Sequence, residues 1–85
     1  MASFLKAASD LHEGKVVARN SWGPDKIVFK VAGYALEQSF YENYGIGERK
    51  FPIDDFLAFS NGSTVSFGWQ PSSKDLIAND WVLVE

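Results

Sequence analysis

The sequence contains no cysteine and a single histidine, His12. The first absence excludes disulfides and thiolate metal sites, and one histidine cannot form a histidine-rich metal cluster. No Gly-rich phosphate loop or nucleophile-elbow serine is present. Asp54 and Asp55 are adjacent and would face opposite ways on a strand, which makes them a poor general acid–base pair. We therefore expect no catalytic residue, no metal and no cofactor, and a binding protein in preference to an enzyme.

Positive charge and long apolar runs are also scarce. Eight Lys and Arg stand against eleven Asp and Glu, which gives a formal net charge of -3. DNA and RNA bind to basic faces, so polymeric nucleic acid is not an expected partner. No apolar run approaches the roughly 20 residues that span a bilayer, and the start of the chain lacks a signal-peptide pattern. We expect a cytoplasmic protein that does not bind membranes.

Apolar and aromatic residues, by contrast, are abundant for a chain this short. Residues 1–85 have the length of one small domain, yet 46% of them are hydrophobic and 15% are aromatic. A domain of this size buries only about 60–65% of the surface that its unfolded chain exposes. Apolar surface is therefore left over, and we expect the protein to form a homo-oligomer.

The pattern of the chain predicts an α+β fold, in which a small antiparallel sheet of about five strands carries an N-terminal helix and a short C-terminal helix before the last strand. The predicted elements are a helix over 3–13, strands over 15–19, 26–32, 54–60 and 64–67, a helix over 72–78 and a strand over 82–84. The pair Asn61-Gly62 predicts a tight type I′ turn. The first helix should bury Phe4, Leu5, Ala8, Leu11 and His12 on one face, with Lys6, Asp10 and Glu13 mostly opposite.

Residues 33–52 form the least regular segment and hold five of the thirteen aromatic residues. Disordered segments are poor in aromatics, so we expect this segment to be ordered by contact. Two readings remain open. It can be an oligomerisation arm that packs against another subunit, or a loop that folds back on its own core.

Two tryptophans flank the predicted C-terminal helix. Ser72 and Asp75 have the spacing of a capping box, which fixes the start of that helix. Trp81 opens a Val-Leu-Val run and is expected in the core, whereas Trp69 lies in a turn and is the better ligand candidate. A large aromatic beside a helix start can stack a flat ring next to a site for an anion.

A third tryptophan, Trp22, lies in a turn between the first two strands. It can stack on a nucleobase or fold over the end of the sheet and plug the core, and the sequence leaves both readings open. Arg19 can pair with a phosphate or be a solvated strand end. Asn20 and Gln70 can hydrogen-bond a base edge or a ribose, or satisfy the backbone of their own turns.

Two stretches, residues 14–22 (GKVVARNSW) and residues 69–81 (WQPSSKDLIANDW), resemble the type-two Thoeris anti-defence sponges, a family of small phage and bacterial proteins. The initial helix and the Asn61-Gly62 hairpin fall in the same order. The resemblance implies a non-enzymatic protein that sequesters a cyclic ADP-ribose derivative, usually glycocyclic ADP-ribose, and so blocks Thoeris immunity. It also implies a homotetramer with ligand pockets between subunits.

The resemblance further implies that Trp22 and Gln70 face the ligand and that Phe59 lines the pocket. We expect Arg19 and the N–H groups at the helix start near Ser72 to meet phosphates. Three alternatives remain: a sponge for the cyclic oligonucleotides of CBASS, an enzyme acting on such a nucleotide, and a non-catalytic protein–protein interaction module.

Overall fold

The computed structural model describes residues 1–37 and 54–84. Its elements are α1 (Phe4–His12), β1 (Val16–Arg19), a 3₁₀ helix (Asn20–Trp22), β2 (Ile27–Val31), a second 3₁₀ helix (Gly33–Leu36), β3 (Phe56–Ser60), β4 (Val65–Phe67), α2 (Ser73–Ile77) and β5 (Trp81–Val84). The predicted α+β fold is confirmed. The predicted arm over 33–52 lies outside the described residues from residue 38 onward, so neither reading of it is tested.

The five strands form one antiparallel sheet in the order β4-β3-β2-β1-β5. The last strand of the chain therefore lies at an edge, where it pairs with the first. Its register places Arg19 opposite Trp81. On the outer side of β5, Ala2 and Trp81 exchange backbone hydrogen bonds of 2.7 and 3.0 Å. This pairing anchors the start of the chain directly before α1.

Helix α1 packs on β1, β2 and β5. It buries Ala7 and Leu11, whose spacing places them on one face. The face predicted from the sequence is partly wrong, because Leu5 is 83% exposed and His12 is exposed as well. The face that meets the sheet is rotated by about one position. No helix in residues 1–37 and 54–84 has the length and apolar character needed to cross a bilayer.

Asp10 was expected on the outer side of α1 but is buried, with 5% of its surface exposed. Its carboxylate accepts a hydrogen bond from Lys6 Nζ at 2.9 Å, and Lys15 Nζ lies 3.9 Å away. Two ammonium groups at its edge therefore compensate the burial of this charge. The ion pair with Lys6 has the i,i+4 spacing of neighbours on a helix surface.

Side chains alternate between the two faces of the sheet. On the side of α1, Val17, Val28 and Trp81 are almost completely buried and form the core with Ala7 and Leu11. The opposite side, which we call the far face, carries strand residues that the register places together: Val16, Ala18, Ile27, Phe29, Val31, Phe56, Ala58, Ser60, Val65, Phe67, Val82 and Val84.

The turn between β3 and β4 differs from the predicted type I′ turn. Type I′ needs positive φ at both central residues, but no non-glycine residue in the described parts of the chain has one. Asn61 N–H donates to the Thr64 carbonyl at 3.3 Å, so Gly62 and Ser63 are central, and Gly62 has a φ of 94°. Glycine at the first central position is the preference of the mirror-image type II′ turn. The Asn61 side chain accepts the N–H groups of Ser63 and Thr64.

Replacing Gly62 by alanine should destabilise the protein for two reasons. The positive φ costs an L-residue roughly 1–2 kcal/mol. A Cβ there would also lie 2.9 Å from the Asp25 Cβ, which ties this turn to the loop after β1. Chemical denaturation should show a larger loss for Gly62→Ala than for Gly14→Ala, since Gly14 has a φ of 85° but no atom within 4 Å of the added Cβ. Equal losses would show that the contact with Asp25 is unimportant.

Candidate functional site

Four aromatic rings gather at one end of the sheet, on the side of α1. Trp22 lies at the centre of the group, with its ring centroid 5.7 Å from Phe59, 6.3 Å from Trp69 and 5.3 Å from Trp81. All three contacts are edge-to-face, the arrangement that the ring quadrupole favours. The structure therefore brings together three residues predicted to bind a ligand, Trp22, Phe59 and Trp69. We call Trp22, Phe59, Trp69 and Trp81 together the aromatic cluster.

Trp81 is the buried member of the aromatic cluster, with 1% of its surface exposed. Its indole N–H donates to the Asp75 carbonyl at 3.0 Å, so its polar atom is satisfied inside the protein. Phe4 of α1 packs against it with a centroid distance of 5.4 Å. The prediction that Trp81 belongs to the core is confirmed. Trp22 and Trp69 pack against that core but remain half-buried.

A bulge at the end of β4 sets the position of Trp69. The N–H groups of Gly68 and Trp69 both donate to the Leu57 carbonyl, at 2.9 and 3.0 Å. Two consecutive residues thus oppose one residue of β3, which bends the chain and redirects a side chain. The bend carries the Trp69 ring across to the α1 side, where it meets Trp22.

The angle between the half-buried tryptophans limits how they can bind a flat molecule. The planes of Trp22 and Trp69 meet at 77°. Two rings sandwich a planar group only when they are nearly parallel, so this geometry does not provide a slot between the two indoles. Each ring can instead offer one face or edge for stacking.

Arg19 lies next to the aromatic cluster and binds two carboxylates. Its Nε donates to Asp80 Oδ1 at 2.9 Å, and its Nη1 donates to Asp75 Oδ1 at 3.1 Å. These contacts join the end of β1 to both ends of the α2 segment, 56 and 61 residues along the chain. One guanidinium between two carboxylates leaves the group with a formal charge of -1. We call Arg19, Asp75 and Asp80 the ion triad.

The ion triad also holds the turn that carries Trp22. Besides Arg19, the Asp80 carboxylate accepts the backbone N–H of Ser21 at 3.2 Å, and the Asp80 carbonyl accepts the N–H of Asn20 at 2.8 Å. The 3₁₀ helix Asn20–Trp22 is therefore fixed at both of the residues that precede the tryptophan. Arg19 and Asp80 thus act as positioning residues for the Trp22 ring.

The predicted capping box at the start of α2 is confirmed. Ser72 Oγ accepts the Asp75 N–H at 3.2 Å, and Asp75 Oδ2 accepts the Ser72 N–H at 2.8 Å. Burial, the strongest single influence on this group, raises the pKa of Asp75. The hydrogen bonds from Ser72 and Arg19 together outweigh it and leave that pKa below its usual value. In Asp80, the hydrogen bond from Arg19 is the main cause that lowers the pKa, with a further contribution from Ser21.

A cavity of about 380 Å³ lies on the other side of the Asn20–Trp22 turn. Ala18, Ile27, Val82 and Val84 of the far face form its floor, and Asn20 and Lys26 are among the residues at its rim. This volume is near the lower end of ligand pockets, which range over about 300–1,000 Å³. Trp22, Phe59 and Trp69 do not line it, because their side chains lie on the α1 side of the sheet.

A comparison with protein families places this geometry in context. The model of the Thoeris anti-defense 2-like domain matches residues 2–84, nearly the whole chain. The chain belongs to the Thoeris anti-defense 2-like family. The resemblance seen in the sequence is thereby confirmed, and membership supports a role against Thoeris defence. No curated protein matches the chain.

In this family member, the predicted site residues separate into three groups. Trp22, Phe59 and Trp69 are in the aromatic cluster, and Arg19 and Ser72 are linked to one another through Asp75. Asn20 and Gln70 are exposed at the turns that carry the two half-buried tryptophans. Whether any of them contacts a ligand stays a prediction.

Sequence reasoning missed two residues that organise the site. The sequence predicts no role in the site for Asp80, and for Trp81 it predicts only a place in the core. The available signal was an acidic residue directly before Trp81. Its contact with Arg19 spans 61 residues of the chain, and it can be predicted only when the pairing of β1 with β5 is known. Within the described residues, no group of three or more His, Cys, Asp or Glu could hold a metal ion.

The ion triad predicts a defined dependence of stability on pH. An unfolded aspartate titrates near about 3.9, and both carboxylates have lower values in the folded state. Their contribution to stability is therefore complete above the unfolded value and is lost as the pH falls through the folded values. Denaturation curves should show little change between neutral pH and about 5, and a steep loss below about 4.

The variant Asp80→Asn should be less stable than the native protein at neutral pH and should lose less additional stability in acid. Asp54→Asn is the matched control. This substitution removes the same charge, and Asp54 lies exposed before β3. An acid limb of equal steepness in Asp80→Asn and the native protein would contradict the assigned role of Asp80.

Proposed function

We propose that the protein binds glycocyclic ADP-ribose, or a close cyclic ADP-ribose relative, and holds it without cleaving it. Sequestration would keep this signal from its effector in the cytoplasm and so block Thoeris immunity on behalf of a phage or prophage. Family membership supports the anti-defence role. The observation that carries the finer proposal is the pair of half-buried tryptophans, Trp22 and Trp69, held rigidly beside a guanidinium.

The aromatic cluster supports recognition of an adenine base. Its buried member, Trp81, packs against the rings of Trp22 and Trp69, so little side-chain freedom is lost when a base stacks on either of them. Stacking on an aromatic side chain contributes about 1–3 kcal/mol per base in nucleic-acid sites. The perpendicular rings favour one stacked base on Trp22 or Trp69, with Phe59 as the wall of the site.

Arg19 supports recognition of a pyrophosphate, although it is already paired. Within residues 1–37 and 54–84, its Nε and Nη1 are bonded to carboxylates and its Nη2 has no hydrogen-bond partner. The remaining N–H groups of a planar guanidinium keep their direction when the other donors are fixed. The ion triad already has a formal charge of -1, so a phosphate at Nη2 also needs a second cation. Lys26, after the Asn20–Trp22 turn, and Lys74, directly before Asp75, are the candidates.

Two exposed amides and a hydroxyl complete the proposed site. Gln70 follows Trp69 directly, and Asn20 lies two residues before Trp22, so both can reach a ligand stacked on the neighbouring ring. The Ser72 hydroxyl is occupied in the capping box as an acceptor and can still donate its proton to a ligand oxygen. These groups supply hydrogen bonds that discriminate between signal isomers.

The chemistry of the described carboxylates supports holding over cleavage. General acid catalysis near neutral pH requires a raised carboxyl pKa. Asp75 and Asp80 have lowered pKa values and are bonded to Arg19, so neither is suited to donate a proton. Asp54 and Asp55 lie before β3, and Asp55 Oδ1 is engaged by the Gly33 N–H at 2.9 Å.

Calorimetric titration with glycocyclic ADP-ribose tests the proposal. Effective sequestration needs a submicromolar Kd, better than about -8 kcal/mol. Gln70→Ala and Trp22→Phe should weaken binding about tenfold or more, since each removes a contact of roughly 1.4 kcal/mol. Ser9→Ala, an exposed position on α1, should leave the affinity unchanged.

Two further measurements separate this function from its alternatives. Heating the complex should release the ligand intact, whereas a recovered product would assign the protein to the enzymes. Cyclic dinucleotides and trinucleotides, the CBASS signals, should bind more weakly than glycocyclic ADP-ribose at this site. Absence of binding for every one of these nucleotides would overturn the proposal.

A further inference from the structure

The buried tryptophan Trp81 connects the aromatic cluster to the start of the chain. Its ring centroid lies 5.3 Å from Trp22, 6.3 Å from Trp69 and 5.4 Å from Phe4, the first residue of α1. Within residues 1–37 and 54–84, Phe4 makes no ring contact with Trp22 or Trp69. Phe4 therefore reaches the two half-buried tryptophans through Trp81.

The backbone of Trp81 is held by the same end of the chain. In the pairing of β5 with β1, the Asn20 N–H donates to the Asp80 carbonyl, so the backbone groups of the next residue, Trp81, point away from β1. Ala2 supplies their partners, because its N–H donates to the Trp81 carbonyl at 2.7 Å and its carbonyl accepts the Trp81 N–H at 3.0 Å. Trp81 is 1% exposed, so without Ala2 these two groups would be buried and unpaired.

A helix cap joins this backbone pairing to Phe4. Ser3, between Ala2 and Phe4, is the N-cap of α1, and its carbonyl accepts the Ala7 N–H at 3.1 Å, the first hydrogen bond of the helix. A single residue thus separates the bonds to the Trp81 backbone from the ring that packs on the Trp81 indole. We call Ala2, Ser3 and Phe4 the N-terminal segment.

Three attachments fix the position of Trp81. Ala2 holds its backbone, Phe4 packs against its ring, and the Asp75 carbonyl accepts its indole N–H at 3.0 Å. The first two attachments belong to the N-terminal segment, which lies outside the proposed ligand site. The orientation of the cluster therefore depends on residues that do not contact the ligand.

We infer that the N-terminal segment positions the ligand-binding tryptophans, and that Phe4 is a positioning residue that acts on them through Trp81. Its consequence for binding rests on the proposed function, whereas its effect on the rings rests on geometry alone. Protein interiors are close-packed, so removal of the Phe4 ring leaves a space into which the Trp81 indole can move. The edge-to-face contacts of Trp22 and Trp69 with Trp81 depend on distance and angle, so both rings would lose their fixed orientation.

The first test needs no ligand. Indoles as close as those of Trp22, Trp69 and Trp81 couple their electronic transitions, which gives a circular-dichroism couplet whose size depends on the distance and angle between the rings. The native protein should show this couplet, and Phe4→Ala should reduce it. Phe4→Leu refills most of the space with an apolar side chain and should restore the couplet. Thermal denaturation verifies that each variant is folded at the temperature of measurement.

Matched controls separate positioning from a general loss of packing. Leu11→Ala removes a buried side chain of the same helix, about 10 Å further along its axis, and should lower stability while leaving the couplet unchanged. Ala2→Pro removes the N–H that the Trp81 carbonyl accepts and should reduce the couplet, whereas Ala2→Gly keeps that N–H and should not.

The second test is calorimetric titration of the same folded variants with glycocyclic ADP-ribose. Phe4→Ala should weaken binding about tenfold although Phe4 lies outside the site, because the preorganisation of the rings is lost. Leu11→Ala should change the Kd by about twofold at most, as expected for a distant and independent position. A native protein that binds no nucleotide would reject the proposed function, and the couplet would still decide whether the N-terminal segment positions the rings.

Three results would contradict the inference. An unchanged couplet in folded Phe4→Ala and Ala2→Pro would show that the rings are oriented without the N-terminal segment. An equal reduction of the couplet in Leu11→Ala would show that any loss of core packing has the same effect. A reduced couplet together with native affinity in Phe4→Ala would show that the orientation of the rings does not limit binding.

Discussion

The hydrogen bonds of one residue, Asp75, connect the ion triad, the start of α2 and the buried tryptophan. Its carboxylate accepts from Arg19 and from the Ser72 N–H, its own N–H donates to Ser72, and its carbonyl accepts the indole N–H of Trp81. The residue is 8% exposed, so the loss of its partners would leave polar atoms of a buried residue unpaired. Through them the start of α2, the end of β1 and the buried tryptophan hold a single arrangement.

In the described structure the two faces of one sheet differ in character. The α1 side holds the core, the aromatic cluster and the ion triad, and the far face holds an uncharged surface with a hollow. The Asn20–Trp22 turn is the boundary between them, since Trp22 packs on one side and Asn20 lines the cavity on the other.

The element order, the strand number and the capping box could be predicted from the sequence, because each depends on residues that are near one another in the chain. The alternation of apolar and polar residues predicted the strands, and the spacing of Ser72 and Asp75 predicted the start of α2. The register could not be predicted in this way, and with it the contacts of Arg19 with Asp75 and Asp80 were missed. The buried position of Asp10 was missed for a related reason. A buried carboxylate can be predicted only when the cations that pair with it, such as Lys6, are known.

The central claim is that Trp81 is a structural support and that Trp22 and Trp69 face the ligand. It is tested most directly by following the three indole N–H signals by NMR during titration with glycocyclic ADP-ribose, assigned from single Trp→Phe variants. The account predicts that the Trp22 and Trp69 signals shift, while the Trp81 N–H, bonded to the Asp75 carbonyl, is protected from exchange and stays in place. A titration in which bound ligand leaves the Trp22 and Trp69 signals unmoved would contradict it.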